Sequence, residues 1–489
     1  MPGPPCYPWA RLRTLTRIRG CAMELPILEP APVVTEHTAV FRDLFDNQCQ
    51  FRHVQHDLTG RMVRPHKSLA NMARCILESP DHTNLSRFLS EAPWRADELN
   101  RRRLRFMRHQ TQPHRRRRRE SRLALDDPRC EHVGSLFDDV DRHDNHRDGT
   151  SPLAHHPGTK LYVSGPVRFP VGVRLYRRSE ALTQWEASVA QHVPDLTSPE
   201  DQKGRNRLHK QVDPVRLQDP ECRARHEPLR TNIALAIEVV EEAIRSQVPL
   251  SVVVFDAWDL AEDLIQVLAR RRKDWLSLLN TNRLLETASV HRRDLNGWAL
   301  KLPSPHMAVE GLVPLIPANA YRAVKVGEHT YWCFTLAVRV PGLGNVRLVV
   351  SCEHEALPGR PVVLVTNRVD GSAAKSIGLY LQRWPTETCS QDSTGHLGFH
   401  EYRLRSAEAM GQHGCLVFAA DSLLHRTCLP AVPDRTMGLI HTMGDACRQQ
   451  GRAWLQRLLL FVHDQLSHGT TGAQVFMQLF AKQQGTVLL

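Results

Sequence analysis

The sequence predicts an α/β protein whose sheet is interrupted by a β-rich insertion and preceded by a helical head. Three observations carry that reading. The stretch TNIALAIEVVEEAIRSQ, with Ile233, Ile237, Val240 and Ile244 on one helical side, runs into LSVVVF, an unbroken apolar run of strand length. Such a run fits a strand covered on both faces, as in a parallel sheet. Further on, HTYWCFTLAVRV, the turn PGLGN and VRLVVSCEH read as a hairpin, with PVVLVTN as another strand. Between residues 40 and 100 the apolar residues recur at helical spacing instead.

Size and charge bound the rest. At 489 residues the chain is too long for one simple core and suggests two or three domains. A formal charge of +12 and a pI near 9.3 favour a polyanionic partner, nucleic acid foremost. None of the twelve cysteines forms a CxxC pair, which argues against a zinc ribbon and for reduced thiols in a cytoplasmic protein. No apolar run reaches the length of a membrane span, so no membrane association is expected.

Taken in order, the chain opens on MPGPPCYPWARLRTLTRIRG, a proline- and arginine-bearing tail without a secretory apolar segment. Met23 offers a second start, and a basic presequence is the alternative reading of the tail. In the head, Leu69, Met72 and Ile76 share one face of KSLANMARCILE, and Leu85, Phe88 and Leu89 share one face of NLSRFLSEA. With Asp81 or Thr83 as cap, the two form a helix-turn-helix candidate in which Asn84 and Arg87 can face a groove; plain bundle packing is the competing reading. Next come Arg101, Arg102, Arg103, Arg105 and Arg108, then the unbroken run Arg115, Arg116, Arg117, Arg118 and Arg119. Like charges at that density repel one another and call for anions.

LALDDP is a short strand ending in Asp126 and Asp127, and KLYVSG and PVGVRLYRR follow as two more. The intervening loop gathers Asp138, Asp139, Asp141, His143, His146, His155 and His156, in a spacing that matches no closed metal site. Residues 182–230 are polar, without periodicity, and read as a surface excursion. Asp256 stands at the carboxyl end of LSVVVF, where open α/β sheets bind ligands; capping of the next helix, which Asp259 could do as well, is the alternative role. WLSLLNTNRLL reads as one further strand, and Asp421 sits in an otherwise apolar helix.

The candidate chemistry centres on GLYLQRWPTETCSQDSTGHLGF. Tyr380, Arg383 and Glu387, three and four residues apart, share one face if the segment is helical, and Pro385 should kink that helix two residues before Glu387. Asp126 and Asp256 at strand ends and Glu387 on a helix form the pattern of a two-metal phosphoryl-transfer centre.

In that order, NLSRFLSEAPW with ELNRRRL, LALDD, FPVGVRLYRR, VVVFDAW, YLQRWPTE and GHLGFHEYRLRS resemble the DDE transposases of bacterial insertion sequences, in the branch with a Tyr-Arg-Glu-Lys signature. The resemblance runs from about Phe41 to Leu424. It implies a ribonuclease-H-like core with a β-rich insertion behind an α-helical DNA-binding head. Asp126, Asp256 and Glu387 would be catalytic and hold two Mg2+ or Mn2+ ions, with Asp127 a rival to Asp126. Tyr380, Arg383, Arg101, Arg102, Arg103 and Arg115 to Arg119 would contact DNA, and pairing of two element ends would require a homodimer on terminal inverted repeats and target. The implied division is a basic tail over 1–35, the head over 36–110, a basic linker over 111–122, core over 123–285, insertion over 286–360, core with the glutamate helix over 361–430, and a helical segment over 431–489. The implied location is the cytoplasm, on the nucleoid. Four positions depart from the family pattern: Thr394 stands where a lysine is expected seven residues after the glutamate, Pro128 follows the aspartate pair, Asp259 stands where an aromatic residue or glycine is usual, and Asp421 adds charge to an otherwise apolar helix. They motivate the alternative of a degenerate copy that only binds DNA.

Overall fold

A computed structural model of the chain describes residues 24–77, 83–115, 121–126, 157–175, 231–287, 305–356, 361–402, 406–429 and 442–484, with a few short pieces besides. Five helices come first: α1 (Pro32–His37), α2 (Gln48–Val63), α3 (Leu69–Cys75), α4 (Thr83–Ser90) and α5 (Ala96–Gln110). The sheet begins with β1 (Arg122–Asp126), β2 (Pro157–Ser164) and β3 (Val167–Leu175), followed by α6 (Asn232–Arg245), β4 (Val252–Phe255), α7 (Glu262–Arg270) and β5 (Asp274–Leu278). It continues through β6 (Leu284–Glu286), β7 (His306–Ala308), β8 (Arg322–Val326), β9 (His329–Val340), β10 (Gly344–Cys352) and β11 (Val362–Thr366). The chain then turns helical, with α8 (Ala373–Leu381), α9 (Pro385–Leu397), α10 (Ala407–Cys428), α11 (Met443–Ser467) and α12 (Gly472–Gln484).

These eleven strands form one sheet, in the order β7-β6-β9-β10-β11-β5-β4-β1-β2-β3, with β8 paired to β9, and three short strands, Cys130–Glu131, Asp141–Arg142 and Leu153–His155, form a small second sheet. The half of the large sheet from β3 to β5 has a defined sense. β1, β2 and β3 are an antiparallel meander, and β4 lies parallel between β1 and β5. The run LSVVVF behaves as its composition demands: all four residues of β4 are buried, two facing the core under α6 and two facing the core under α8. On α6 the buried side is Leu235, Ala236, Val239, Val240 and Ala243, so Ile233, Ile237 and Ile244 are the margin of the stripe rather than its centre. WLSLLNTNRLL is two strands, because the polar NTN turns the chain, with Arg283 donating its backbone N–H to the Asn280 carbonyl at 3.1 Å.

Beyond β5 the sheet continues through β11, β10, β9, β6 and β7. β11 returns antiparallel to β5, with Thr366 opposite Leu276 and the Leu279 N–H donated to the Val363 carbonyl at 2.8 Å. The chain between β5 and β11 therefore starts and finishes at the same strand edge.

The head packs around Phe45, Leu58, Met72, Phe88 and Trp94, and its apolar stripes at Leu69, Met72 and Ile76 and at Leu85, Phe88 and Leu89 are buried as their spacing predicts. Asn47 starts α2 by accepting the Gln50 N–H at 3.0 Å. The same core takes in Leu416, Ala420, Leu423 and Leu424 of α10, so the two ends of the chain share one interior. A buried ion pair ties them: Arg61 of α2 holds both oxygens of Asp57, at 2.6 and 2.9 Å, and reaches Nδ1 of His413 on α10 at 3.2 Å. At the end of α9, Gly398 takes a left-handed φ of 70°, and a Cβ there would come within 2.5 Å of the Lys67 Cβ. No described helix is long and apolar enough to cross a membrane, and the described cysteines are free.

Candidate active site

Asp256 is the first polar residue after the buried strand β4. Its Oδ1 accepts the Trp258 N–H at 3.0 Å, a local turn that fixes the carboxylate, while Ser277 of β5 donates its hydroxyl to the Asp256 carbonyl at 3.0 Å. Neither Asp256 nor Asp259 caps the following helix, whose N-cap is Ala261. That leaves the Asp256 carboxylate half-exposed, with most of its acceptor capacity unspent.

Asp126 ends β1, the parallel neighbour of β4. Ala124 is opposite Val254, so two residues further on the backbone brings Asp126 level with Asp256, one interstrand spacing of about 4.8 Å away. Asp127 and Pro128 lie outside the described residues.

The third element comes from a helix broken in two. Ser372 starts α8 by accepting the Lys375 N–H at 3.3 Å, and Ile377 packs into the core on that side of the sheet. The expected kink at Pro385 is a complete break: α8 stops at Leu381 and Pro385 takes the first turn of a new helix, where its missing N–H costs nothing. Tyr380, Arg383 and Glu387 thus belong to a helix end, a turn and a helix start. They still converge. The Arg383 guanidinium stands 3.7 Å from the Glu387 carboxylate and 6.0 Å from the centre of the Tyr380 ring. Glu387 also lies in the first turn of α9, the positive end of the helix dipole.

Asp256 is near enough for its charge to act on Tyr380. Burial holds the Tyr380 hydroxyl above its ordinary pKa; Arg383 opposes that shift, and the charges of Asp256 and Glu387 reinforce it. The hydroxyl is therefore a neutral donor at ordinary pH, set among two carboxylates and a guanidinium. Asp256 and Glu387 are hard oxygen donors of the kind that suits magnesium or manganese, and neither is consumed by a strong ion pair. Among the described residues no three His, Cys, Asp or Glu side chains gather as a ready metal site.

The basic residues of the sequence divide. Arg101 is paired with Asp97 and Glu98, and Arg102 with Asp43 and Glu98. Arg103 is buried: it donates to Asn100 Oδ1, to Ser422 Oγ at 2.8 Å and to the Val171 carbonyl at 2.9 Å. Its guanidinium is spent on joining α5 to β3 and α10 and is not presented to solvent. Arg115 is described, and Arg116 to Arg119 lie outside the described residues, as do His143, His146, His156, Asp138 and Asp139. Two residues escaped the sequence reading. Trp258 and Trp384 are 85% and 67% exposed beside Asp256 and Arg383, and a large apolar residue next to each acidic motif was the available signal.

A family model described as DDE superfamily endonuclease matches residues 40–296, more than half of the chain. The match contains Asp126 and Asp256 and ends before α8 and α9. A search of curated proteins returned no match. The chain belongs to the DDE superfamily of endonucleases, a transposase-like family.

Proposed function

We propose that this DDE superfamily endonuclease is a transposase that cleaves and joins double-stranded DNA at the ends of an insertion element, with Asp126, Asp256 and Glu387 as its metal-binding carboxylates. The observation that carries the reading is the strand order β3-β2-β1-β4-β5, with one acid ending each of the adjacent parallel strands β1 and β4 and a glutamate-bearing helix returning to the same site. That order supports a ribonuclease-H-like core. The neighbouring strand spacing of about 4.8 Å also suits a pair of ions about 4 Å apart.

Bound divalent ions supply Lewis acidity and an activated oxygen nucleophile for in-line displacement at phosphorus. The chain's own residues do the positioning. The three carboxylates offer oxygen ligands, Arg383 sets a positive charge against the non-bridging phosphate oxygens, and the neutral Tyr380 hydroxyl donates to the same group. Exposed Trp258 and Trp384 give the bases beside that phosphate flat apolar surfaces to stack on. In the head, α4 buries Leu85, Phe88 and Leu89 and leaves Arg87 exposed, which supports a role in recognising the terminal repeats. Pairing of two ends on a target calls for a homodimer, and a soluble, nucleoid-associated protein fits that substrate.

A second reading rests on Thr394. It is partly exposed on α9, one residue in the set that would face DNA, and it supplies no cation there. A copy weakened in this way would still hold DNA and act as a binding protein alone.

Manganese-dependent nicking of a supercoiled plasmid carrying candidate element ends separates the readings. Asp256→Ala should lower nicking by about 10²-fold or more, the scale of losing a central metal ligand. Equal nicking by both proteins would remove Asp256 from the chemistry. No nicking by either, with salt-sensitive DNA binding by both, would favour the binding-only copy.

A further inference from the structure

Two adjoining hollows lie along α5, and both are walled by Arg105 and Arg108. The larger, of about 860 Å³, runs between α5, the segment after α1 and Pro249, with Phe106 and Val40 in its floor and Arg115 at its end. The smaller, of about 520 Å³, is closed by Arg245 and Ser246 at the end of α6. Their shared rim follows helix geometry: Arg101, Arg105 and Arg108 are spaced i, i+4 and i+7, which puts them on one face over about 10 Å.

The donors here have capacity to spare. Arg105 and Arg245 are exposed and form no ion pair with a described residue. The Nε of Arg115 and the Oγ of Ser246 are buried without a hydrogen-bond partner. Two of the three carboxylates in the walls are already committed, Asp97 to Arg95 and Arg101 at 3.0 and 3.2 Å and Glu242 to Arg174 at 2.6 Å, while the third, Glu36, is exposed at the rim beside His37, which burial keeps from protonating readily. Arg108 adds a further charge, its side chain bound among the described residues to the neutral Gln247 amide. The trough thus has a surplus of positive charge, orphaned N–H and O–H groups, and an apolar floor that strengthens ionic contacts by thinning the water around them.

Its place in the fold separates it from the acids. Ser121, just before β1, accepts the Ser251 N–H just before β4, so the amino ends of both strands lie together, next to Gln247 and Pro249. Asp126 and Asp256 are at the carboxyl ends of the same strands, across about 13 Å of sheet.

We propose that this trough is a second DNA site, gripping backbone phosphates of a duplex segment away from the bond being cut. The inference rests on the DNA-cleaving reading above for its choice of polyanion. Such a site would hold flanking DNA without reading its sequence, because phosphate contacts position a duplex and base contacts specify it.

The test is fluorescence anisotropy of a labelled duplex across a salt series, using the full chain. The double variant Arg105→Gln with Arg245→Gln removes two unpaired surface charges, and Arg105→Lys with Arg245→Lys keeps them. The expected result is duplex binding about tenfold weaker in the glutamine variant at low salt, with the slope of log affinity against log salt smaller by about two. The lysine variant should bind like the natural chain. Unchanged affinity and slope in the glutamine variant, while the natural chain binds duplex, would overturn the trough and leave the nuclease reading intact. No duplex binding by the natural chain would overturn both. Retained duplex binding with loss of polyglutamate binding would assign the trough to an acidic peptide and overturn the proposal as well.

Discussion

The helical head and the acid end of the sheet use arginine in opposite ways. In the head, Arg61 and Arg103 are buried; beyond Asp57 and Asn100 on their own helices, they reach His413 and Ser422 on α10 and the Val171 carbonyl of β3. At the acid end, Arg383 is partly exposed and stands at a loose 3.7 Å from Glu387, and Asp256 accepts a single described hydrogen bond to its side chain. One region spends charge on fixing the fold; the other, in the function proposed above, would turn its charge to a ligand. A buried guanidinium is tolerable only where its partners are complete, and a catalytic one is useful only where they are not.

Removing the charge from each region should expose that difference most sharply. Arg61→Ala strands the buried Asp57 carboxylate and should cost about 3–5 kcal/mol, read as a fall in the urea midpoint at unchanged slope. Asp256→Ala in the same assay should stay within about 0.5 kcal/mol of the natural chain. Similar losses at both positions would erase the contrast.

A smaller effect is expected where head and α9 meet. Gly398→Ala puts a side chain on a left-handed residue and against Lys67, so a loss of about 1–3 kcal/mol should appear in thermal or urea unfolding. A neutral result would mean that the α9 end can shift away from α2 without cost.

The smallest effect is a change of pH dependence. Burial pushes the Asp421 carboxyl from 3.8 up to about 7, against the pull of Arg168 and Arg103, and burial holds His425, one turn along α10, down to about 3 from 6.5. The signs are opposite. Asp421 binds its proton more tightly when folded, so its contribution is present at low pH and is lost as pH climbs from about 4 through about 7. His425 resists its proton when folded, so its contribution is lost as pH falls from about 6.5 towards 3. The two offset each other between those limits, and above them Asp421 acts alone. Asp421→Asn should therefore gain stability relative to the natural chain between about pH 5 and pH 8, by about 1 kcal/mol or more. A parallel pair of stability curves would place the Asp421 titration elsewhere.

Much of the sheet was legible because its signals are local. The run LSVVVF fits a doubly covered strand, and a polar residue at its end emerges at the sheet's edge, which makes Asp256 legible without knowledge of any distant contact. The hairpin around PGLGN was equally plain, with β9 and β10 joined by a short turn at residues 341–343. Arg103 shows what a basic run conceals. It looks like Arg101 and Arg102 in sequence, but each residue rotates about 100° around a helix, and its partner Ser422 is 319 residues away. The break at Pro385 was half visible: proline ruled out an uninterrupted helix, but nothing local decides between a bent helix and a second one begun at that residue. Glu387 was grouped with Asp256 by the pattern of acids and by resemblance rather than by any local signal, because their separation depends on how α8 packs on the sheet.

The way the later strands join the sheet also bears on how much chain this place can carry. Because β5 and β11 are antiparallel neighbours, the two ends of the chain between them are side by side, and lengthening a loop between fixed ends costs little, about 0.6 kcal/mol for each doubling. A short hairpin at this place could lengthen strand by strand without disturbing the acids one strand further in. Reversal is harder than growth. Trimming the region back to β5 would uncover a full row of backbone donors and acceptors, and the shortened protein should associate edge to edge.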